Sequence, residues 1–249
     1  MYNEFMDKYE VKKYHAAIAI VVALFVGIVI GNINILHLGA SLPALPLPEI
    51  TDGQRGELGI DKNINEKNID EYLGRSDSVY RDMRMLKDPA NYEAIDGDSY
   101  LSGYVEGFEV VPYPYLVNVV GLPSEVGNSY DGKTLFTQND GNEYTANYEE
   151  SLKILEDIFP KDKKIFLMCG GGGYAGMTKS MLVKLGWDTN NIYVVGGYWY
   201  YEGQHNVKVK SGEGENAKYA FWKVPYHDIS FDSLTEKKHE QKENWSAPK

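Results

Sequence analysis

The chain has 249 residues, of which 43% are hydrophobic, which is enough for one domain of ordinary size with a true core plus extensions. Its 36 acidic residues outnumber 25 basic ones, the formal net charge is −11, and no basic run offsets it, so nucleic-acid binding is not expected. A single cysteine rules out an intramolecular disulfide, so the fold must be stabilised by packing.

Residues 16–39 are predicted to form a transmembrane anchor or a signal segment. The stretch from Ala16 to Gly31 carries no charge and almost no polar side chain. Lys12 and Lys13 directly precede it, whereas the first charge after it is Glu49. The positive-inside bias therefore places the N-terminal arm in the cytoplasm and the folded part outside.

Two alternatives remain open for this segment. The apolar run is long for a signal core and short for a membrane span, and small residues near Leu38 to Ala44 resemble a cleavage site. We favour the uncleaved anchor, which makes the protein a single-pass cell-membrane protein with an extracytoplasmic domain. Cleavage would instead give a secreted protein.

The rest of the chain divides by composition. Prolines spaced between Ser41 and Pro48, followed by glycines, predict a semi-extended tether rather than a packed element. The last residues are charged and contain few apolar side chains, which predicts disorder. The predicted organisation is a cytoplasmic arm (1–15), the membrane or signal segment (16–39), a linker (40–59), one domain (60–235, with a core at 64–203 and a hairpin extension at 204–230) and a disordered tail (236–249).

Strand-like and helix-like patterns alternate along the domain. A short helical pattern opens at Asn65 and ends at Gly74. The further predicted strands are 78–84, 107–112, 164–168 and 192–195, and the predicted helices are 148–159 and 178–185. This alternation favours an α/β fold with a mainly parallel sheet.

Two segments are predicted to lie outside that sheet. Residues 118–147 contain several turn sequences and are expected to be a long surface insertion. Residues 206–210 and 219–224 flank a glycine-containing loop and are expected to pair as a C-terminal β-hairpin.

The most informative stretch runs from Ile165 to Gly176: an apolar strand, Cys169, four glycines and a helical pattern. A strand–loop–helix of this kind points backbone N–H groups and the positive end of a helix dipole at one place. We therefore expect a reactive Cys169 with a lowered thiol pKa at an anion-binding loop. The alternative is a buried, inert cysteine.

Other sites with similar motifs fit less well. Gly171, Gly173 and Gly176 match a dinucleotide-binding fingerprint, but the next strand is not followed by an acidic residue for a ribose. A Walker A loop would need lysine where Met177 stands, and a cysteine-dependent phosphatase would need arginine where Ala175 stands. The histidines have no spacing typical of zinc ligands, so no metal and no cofactor are predicted.

Five pieces in order resemble the rhodanese-like (sulfurtransferase) domain. They are the D-x-R strand end in 78–84, the segment 103–112 with Tyr104 where histidine is usual, the cysteine loop 169–176, the helix end 181–187 and the Gly-Gly-Tyr-Trp motif in 196–201. The resemblance covers about residues 64–203 and implies a three-layer α/β fold with a parallel five-stranded sheet.

The resemblance also implies roles for individual residues. Cys169 would be the nucleophile that carries sulfur as a persulfide, and the partner would be a small sulfur-containing donor or a thiol acceptor. The loop residues would bind the substrate: Gly170, Gly171, Gly172, Gly173, Tyr174 and Ala175. Asp82, Arg84 and Tyr104 are candidates for pocket support.

The chain departs from this family inside the loop. Thiosulfate-using relatives often carry arginine right after the cysteine and again late in the loop, where this chain has Gly170 and Tyr174. Binding of a dianionic donor would then depend on backbone amides, against an acidic protein field. We expect the glycine run to be ordered by close approach of a substrate or persulfide. A catalytically inactive binding or thiol-sensing module is the alternative function.

Overall fold

The structure is a computed structural model that describes residues 46–51, 59–127, 130–140 and 143–238. The predicted cytoplasmic arm, the predicted membrane segment, the linker residues 40–45 and 52–58, and the tail from 239 onward lie outside these ranges. Within them, no helix combines the length and apolar character that crossing a membrane requires.

A four-stranded parallel sheet forms the centre of the described part. Its strands are β1 (Ser78–Asp82), β3 (Glu109–Val110), β6 (Lys164–Cys169) and β7 (Ile192–Gly197), in the order β3-β1-β6-β7. Nearly every residue of β6 and β7 is buried, as expected for parallel strands covered on both faces.

This sheet confirms an α/β domain with parallel strands and corrects the expected number of strands from five to four. The other short strands of the described ranges form three separate antiparallel pairs outside this sheet. They are β2 (Gly103–Val105) with β8 (Asn206–Lys208), β4 (Phe136–Asn139) with β5 (Glu143–Ala146), and β9 (Lys210–Ser211) with β10 (Lys218–Tyr219).

Alternate residues of β6 enter different hydrophobic clusters. Ile165 and Leu167 pack in one cluster with residues of α2 (Ser151–Ile158) and α3 (Gly173–Lys184). Phe166 and Met168 pack in a second cluster, which the 3₁₀ turn Ile69–Tyr72 and neighbouring loops help to form. The sheet is thus covered on both faces, by α-helices on one of them. The other α-helix described, α1, spans Tyr113–Leu116.

The helix after the cysteine starts at Gly173, five residues before the predicted helix 178–185 and one residue before the helical pattern predicted after the glycine run. Gly172 adopts a φ of 109° and forms the N-cap, so the glycine run leads directly into α3 instead of separating it from the loop. At the other end Gly186, with a φ of 98°, follows the helix as predicted.

Several segments expected to be peripheral are packed. Leu135 and Phe136 in the predicted insertion are buried in the first cluster. The predicted hairpin is shorter than expected, because 206–208 pairs with β2. Within the predicted tail, the Lys237 amide donates to the Asn147 carbonyl at 2.8 Å.

Residues 46–51 of the predicted linker also contact the domain. Leu47 and Ile50 pack against the second cluster, and the Tyr193 hydroxyl donates to the Pro48 carbonyl at 2.7 Å. Residues 46–51 are therefore packed on the domain, whereas the proline spacing predicts a semi-extended tether.

Candidate functional site

Cys169 is the last residue of β6, directly before the loop that enters α3. Its side chain is 3% exposed, and the Gly172 amide donates to its Sγ at 3.1 Å. This contact exists because the positive φ of Gly172 turns the backbone back toward the end of the strand. The thiol therefore lies against backbone N–H groups, as the loop pattern predicts.

The pKa of the Cys169 thiol is raised, which makes the predicted lowering wrong. Burial is the largest cause, because removal from water disfavours the thiolate. The amides of Ala175 and Gly172 act in the opposite direction, as does the charge of Arg84, while Asp82 raises the pKa further. The loop stabilises the thiolate, but burial outweighs it.

The loop glycines are explained by the indole ring of Trp199. A Cβ at Gly170 would lie 2.4 Å from Cζ2 of that ring, and a Cβ at Gly171 would lie 3.1 Å from Cζ3. The Trp199 amide also donates to the Gly170 carbonyl at 3.1 Å. The loop is thus ordered by the turn that follows β7, whereas the sequence predicts ordering by a substrate. Gly173 has no such neighbour.

Arg84 supplies a guanidinium group beside the thiol. Its Nε lies 3.0 Å from Oδ1 of Asp82, and its Nη2 donates to Asp82 Oδ2 and, at 2.8 Å, to the Gly103 carbonyl. Its Cζ lies 4.2 Å from the centre of the Tyr198 ring. The remaining nitrogen, Nη1, is buried and has no hydrogen-bond partner in the described part of the chain.

Tyr104 lies elsewhere. It belongs to a third hydrophobic cluster, and its hydroxyl donates to the Lys223 carbonyl at 3.0 Å. It is not among the residues that line the cavity beside Cys169, whereas Arg84 is. Asp82 does not line the cavity but holds Arg84 in place.

A carboxylate and two phenols form a buried cluster close to the thiol. Asp88 Oδ2 accepts from the Tyr174 hydroxyl at 3.0 Å and from the Tyr92 hydroxyl at 3.1 Å, and the two hydroxyls are 2.9 Å apart. Burial is the largest cause that raises the pKa of both phenols, so they remain protonated. Tyr174 was predicted to be a substrate-binding residue of the loop, whereas Asp88 and Tyr92 were not predicted to belong to the site.

These groups surround a cavity of about 1000 Å³. Cys169, three of the loop glycines (Gly170, Gly171, Gly173) and Tyr174 line it, together with Arg84, Asp88, Tyr92 and Trp199. Gly172 and Ala175 do not line the cavity, but their amides favour the thiolate of Cys169. No local pattern in the sequence points to Asp88 or Tyr92, whereas Trp199 could have been found from its place in the closing Gly-Gly-Tyr-Trp motif.

No group of three or more His, Cys, Asp or Glu side chains within the described ranges is arranged to hold a metal ion. The site combines a thiol, hydrogen-bond donors and a cavity with aromatic walls. In comparisons with known proteins, no family model, no curated protein and no solved structure matches the chain significantly.

Proposed function

We propose that this protein is a rhodanese-like sulfurtransferase that carries sulfur as a persulfide on Cys169. The observation that carries the proposal is the position of Sγ at the end of β6, in contact with the Gly172 amide and on the wall of a large cavity. A nucleophile in this position can accept a sulfur atom from a donor bound in the cavity, while the loop amides stabilise the negative charge.

The first step is sulfur transfer to the enzyme. The thiol gives its proton to solvent, and the thiolate electron pair attacks the outer sulfur of a sulfane-sulfur donor. A bond forms between Sγ and that sulfur, and the donor's S–S bond breaks with its electron pair leaving on sulfite, a sulfinate or a shortened polysulfide. In the second step an acceptor thiolate attacks the outer sulfur of the persulfide and releases the Cys169 thiolate.

The residues around the thiol have distinct roles in this scheme. The amides of Gly172 and Ala175 stabilise the thiolate and the persulfide anion, and the Arg84 charge does the same. Trp199 holds the loop in shape through its contact with Gly170. Tyr174 and Tyr92 stay protonated and donate to Asp88 on the cavity wall.

A catalytically inactive binding or thiol-sensing module is the second candidate. The raised pKa of the Cys169 thiol favours it, because a neutral thiol is a poor nucleophile. Intact mass spectrometry of the full-length chain after incubation with thiosulfate or inorganic polysulfide distinguishes the two. A sulfurtransferase gains one sulfur atom, and the gain disappears in Cys169→Ser. If no donor gives an adduct, the module is correct.

We also propose that residues 16–39 tether the domain to the cell membrane on its extracytoplasmic side. The support is the uncharged run from Ala16 to Gly31 behind Lys12 and Lys13. Protease added to intact cells should then digest the domain, while the uncleaved chain should sediment with membranes. Recovery of a shortened chain from the medium would instead indicate cleavage and secretion.

A further inference from the structure

We propose that the cavity beside Cys169 selects organic monoanions with an apolar body, such as aryl thiosulfonates, over small inorganic dianions such as thiosulfate. The assignment of the ligand as a sulfur donor rests on the proposed function. The preference for a ligand with one charged head and one apolar body rests on the cavity alone.

The charged head is recognised by buried N–H groups that have no acceptor. Arg84 is 7% exposed, and Asp82 and Gly103 occupy Nε and Nη2, so Nη1 is the part of the guanidinium left for a ligand. Nε1 of Trp199 is likewise buried and has no partner in the described ranges. Both side chains line the cavity with Cys169. Buried donors without acceptors are costly. Both nitrogens are closed to solvent, so oxygen atoms of a sulfonyl or sulfinate group would satisfy them after a small shift of the neighbouring side chains.

The charges around the thiol favour a single negative charge on the ligand. Asp82 contacts Arg84 directly and offsets its charge. Asp88, which is also buried, and Asp98 line the cavity, as do Lys179 and Lys184. With Asp82 and Arg84, three acidic and three basic side chains therefore surround the site. A dianion would bring two charges toward a nearly neutral site inside a protein with a formal net charge of −11. A monoanion keeps the hydrogen bonds and halves that repulsion.

The size and the rim of the cavity favour an apolar body. A volume of about 1000 Å³ is at the upper end of the range for sites that enclose drug-sized organic ligands. Six large hydrophobic side chains are exposed in the described part of the chain, and four of them line this cavity: Ile95, Val120, Val183 and Tyr200. Exposed apolar side chains that gather at one opening mark a binding site.

Binding of unreactive sulfonates to the full-length chain tests this preference without any sulfur transfer. Benzenesulfonate should bind roughly 10- to 100-fold more tightly than methanesulfonate in calorimetry, because the ring buries apolar surface. Sulfate, a dianion without a body, should bind most weakly. Equal affinities for the two sulfonates, a preference for sulfate, or no sulfonate binding would each overturn the proposal.

Variants test separately the contacts to the charged group of the ligand and those to its apolar part. Trp199→Phe and Arg84→Lys each remove one unpartnered donor and should weaken both sulfonates by roughly 3- to 10-fold. Val120→Ser should weaken benzenesulfonate alone. Leu152→Ser is its matched control, because Leu152 is 44% exposed and Val120 is 45% exposed, and only Val120 lines the cavity. Equal losses in the two serine variants would contradict a binding role for the rim. Thermal unfolding checks that each variant is folded.

Failure of the ligand preference and failure of sulfur transfer give different results. Tight binding of benzenesulfonate without a persulfide on Cys169 would overturn sulfur transfer and support the ligand preference. Persulfide formation at the same rate from benzenethiosulfonate, methanethiosulfonate and thiosulfate would support sulfur transfer and overturn the preference.

Discussion

The indole ring of Trp199 lies over the Cα atom of Gly170, so that a Cβ at position 170 would come within 2.4 Å of Cζ2. The residue after the cysteine therefore has no room for a side chain. Because the ring fills that space, an arginine of the kind that thiosulfate-using rhodaneses often carry there would have to displace it. The packing of Trp199 therefore explains why position 170 carries no arginine.

Gly170→Ala should destabilise the protein by about 1–3 kcal/mol, because the added methyl group overpacks against a rigid ring. Gly173→Ala is the matched control in the same loop. Gly173 has no atom near its would-be Cβ, and its φ is not positive, so alanine at the start of α3 should raise stability by about 0.5 kcal/mol. Chemical denaturation measures both changes. Similar losses in the two variants would contradict the role of Trp199.

Asp82→Asn should cost about 3–5 kcal/mol of stability, because it leaves the buried Arg84 charge without its partner. The control is Glu156→Gln, which breaks the ion pair with Lys161. Those two side chains are each nearly half exposed, so the loss should stay below about 1 kcal/mol. If unfolding gave equal losses in the two variants, the Asp82–Arg84 pair would not be a buried pair.

The rate of Cys169 alkylation by iodoacetamide should rise only at a pH above the range of a free thiol, whose pKa is about 8.5. The folded protein raises the pKa of Cys169, so the neutral form persists as the pH increases and the reactive thiolate appears later. The same chain unfolded in urea and titrated in parallel provides the reference, because its single cysteine is then exposed to solvent. An inflection below that of the reference would show that the loop amides outweigh burial.

Tyr92→Phe and Tyr174→Phe should each cost about 1 kcal/mol, since Asp88 Oδ2 keeps the other hydroxyl as a donor. The double variant removes both hydroxyl donors from Oδ2 of the buried carboxylate, while the Ala90 amide still donates to Oδ1, and it should cost more than the sum of the single variants. Urea unfolding of the four proteins completes the cycle. Strict additivity would mean that the two phenols do not share Asp88.

The local spacing of apolar residues predicted the central elements of the fold, because burial directly determines that spacing. The strands β1, β6 and β7 and the helix α2 follow from apolar runs and helical spacing. The number of strands in the sheet was predicted wrongly. The resemblance implied five, whereas β2 pairs instead with β8, about a hundred positions away, in a separate two-stranded sheet. The start of α3 was missed because Gly172 serves as its N-cap.

In the candidate site, Cys169 and its glycines could be found from the sequence because strand, loop and helix are contiguous. The long-range neighbours could not be placed in the same way. Asp88 and Tyr92 lie in a loop without periodicity, and only the fold brings them to Tyr174. The thiol pKa was predicted in the wrong direction because a local motif shows the amides but not the depth of burial.

The most direct test of sulfur transfer is the mass of the tryptic peptide 165–179, which contains Cys169 between Lys164 and the cleavage site at Lys179. The full-length chain is incubated with benzenethiosulfonate, tagged with iodoacetamide and digested. A Cys169 persulfide predicts a tagged peptide heavier by one sulfur atom than the untreated control, and loss of that sulfur when an acceptor thiol is added before tagging. A peptide that carries only the tag on an unmodified thiol, at every donor concentration, would contradict the account.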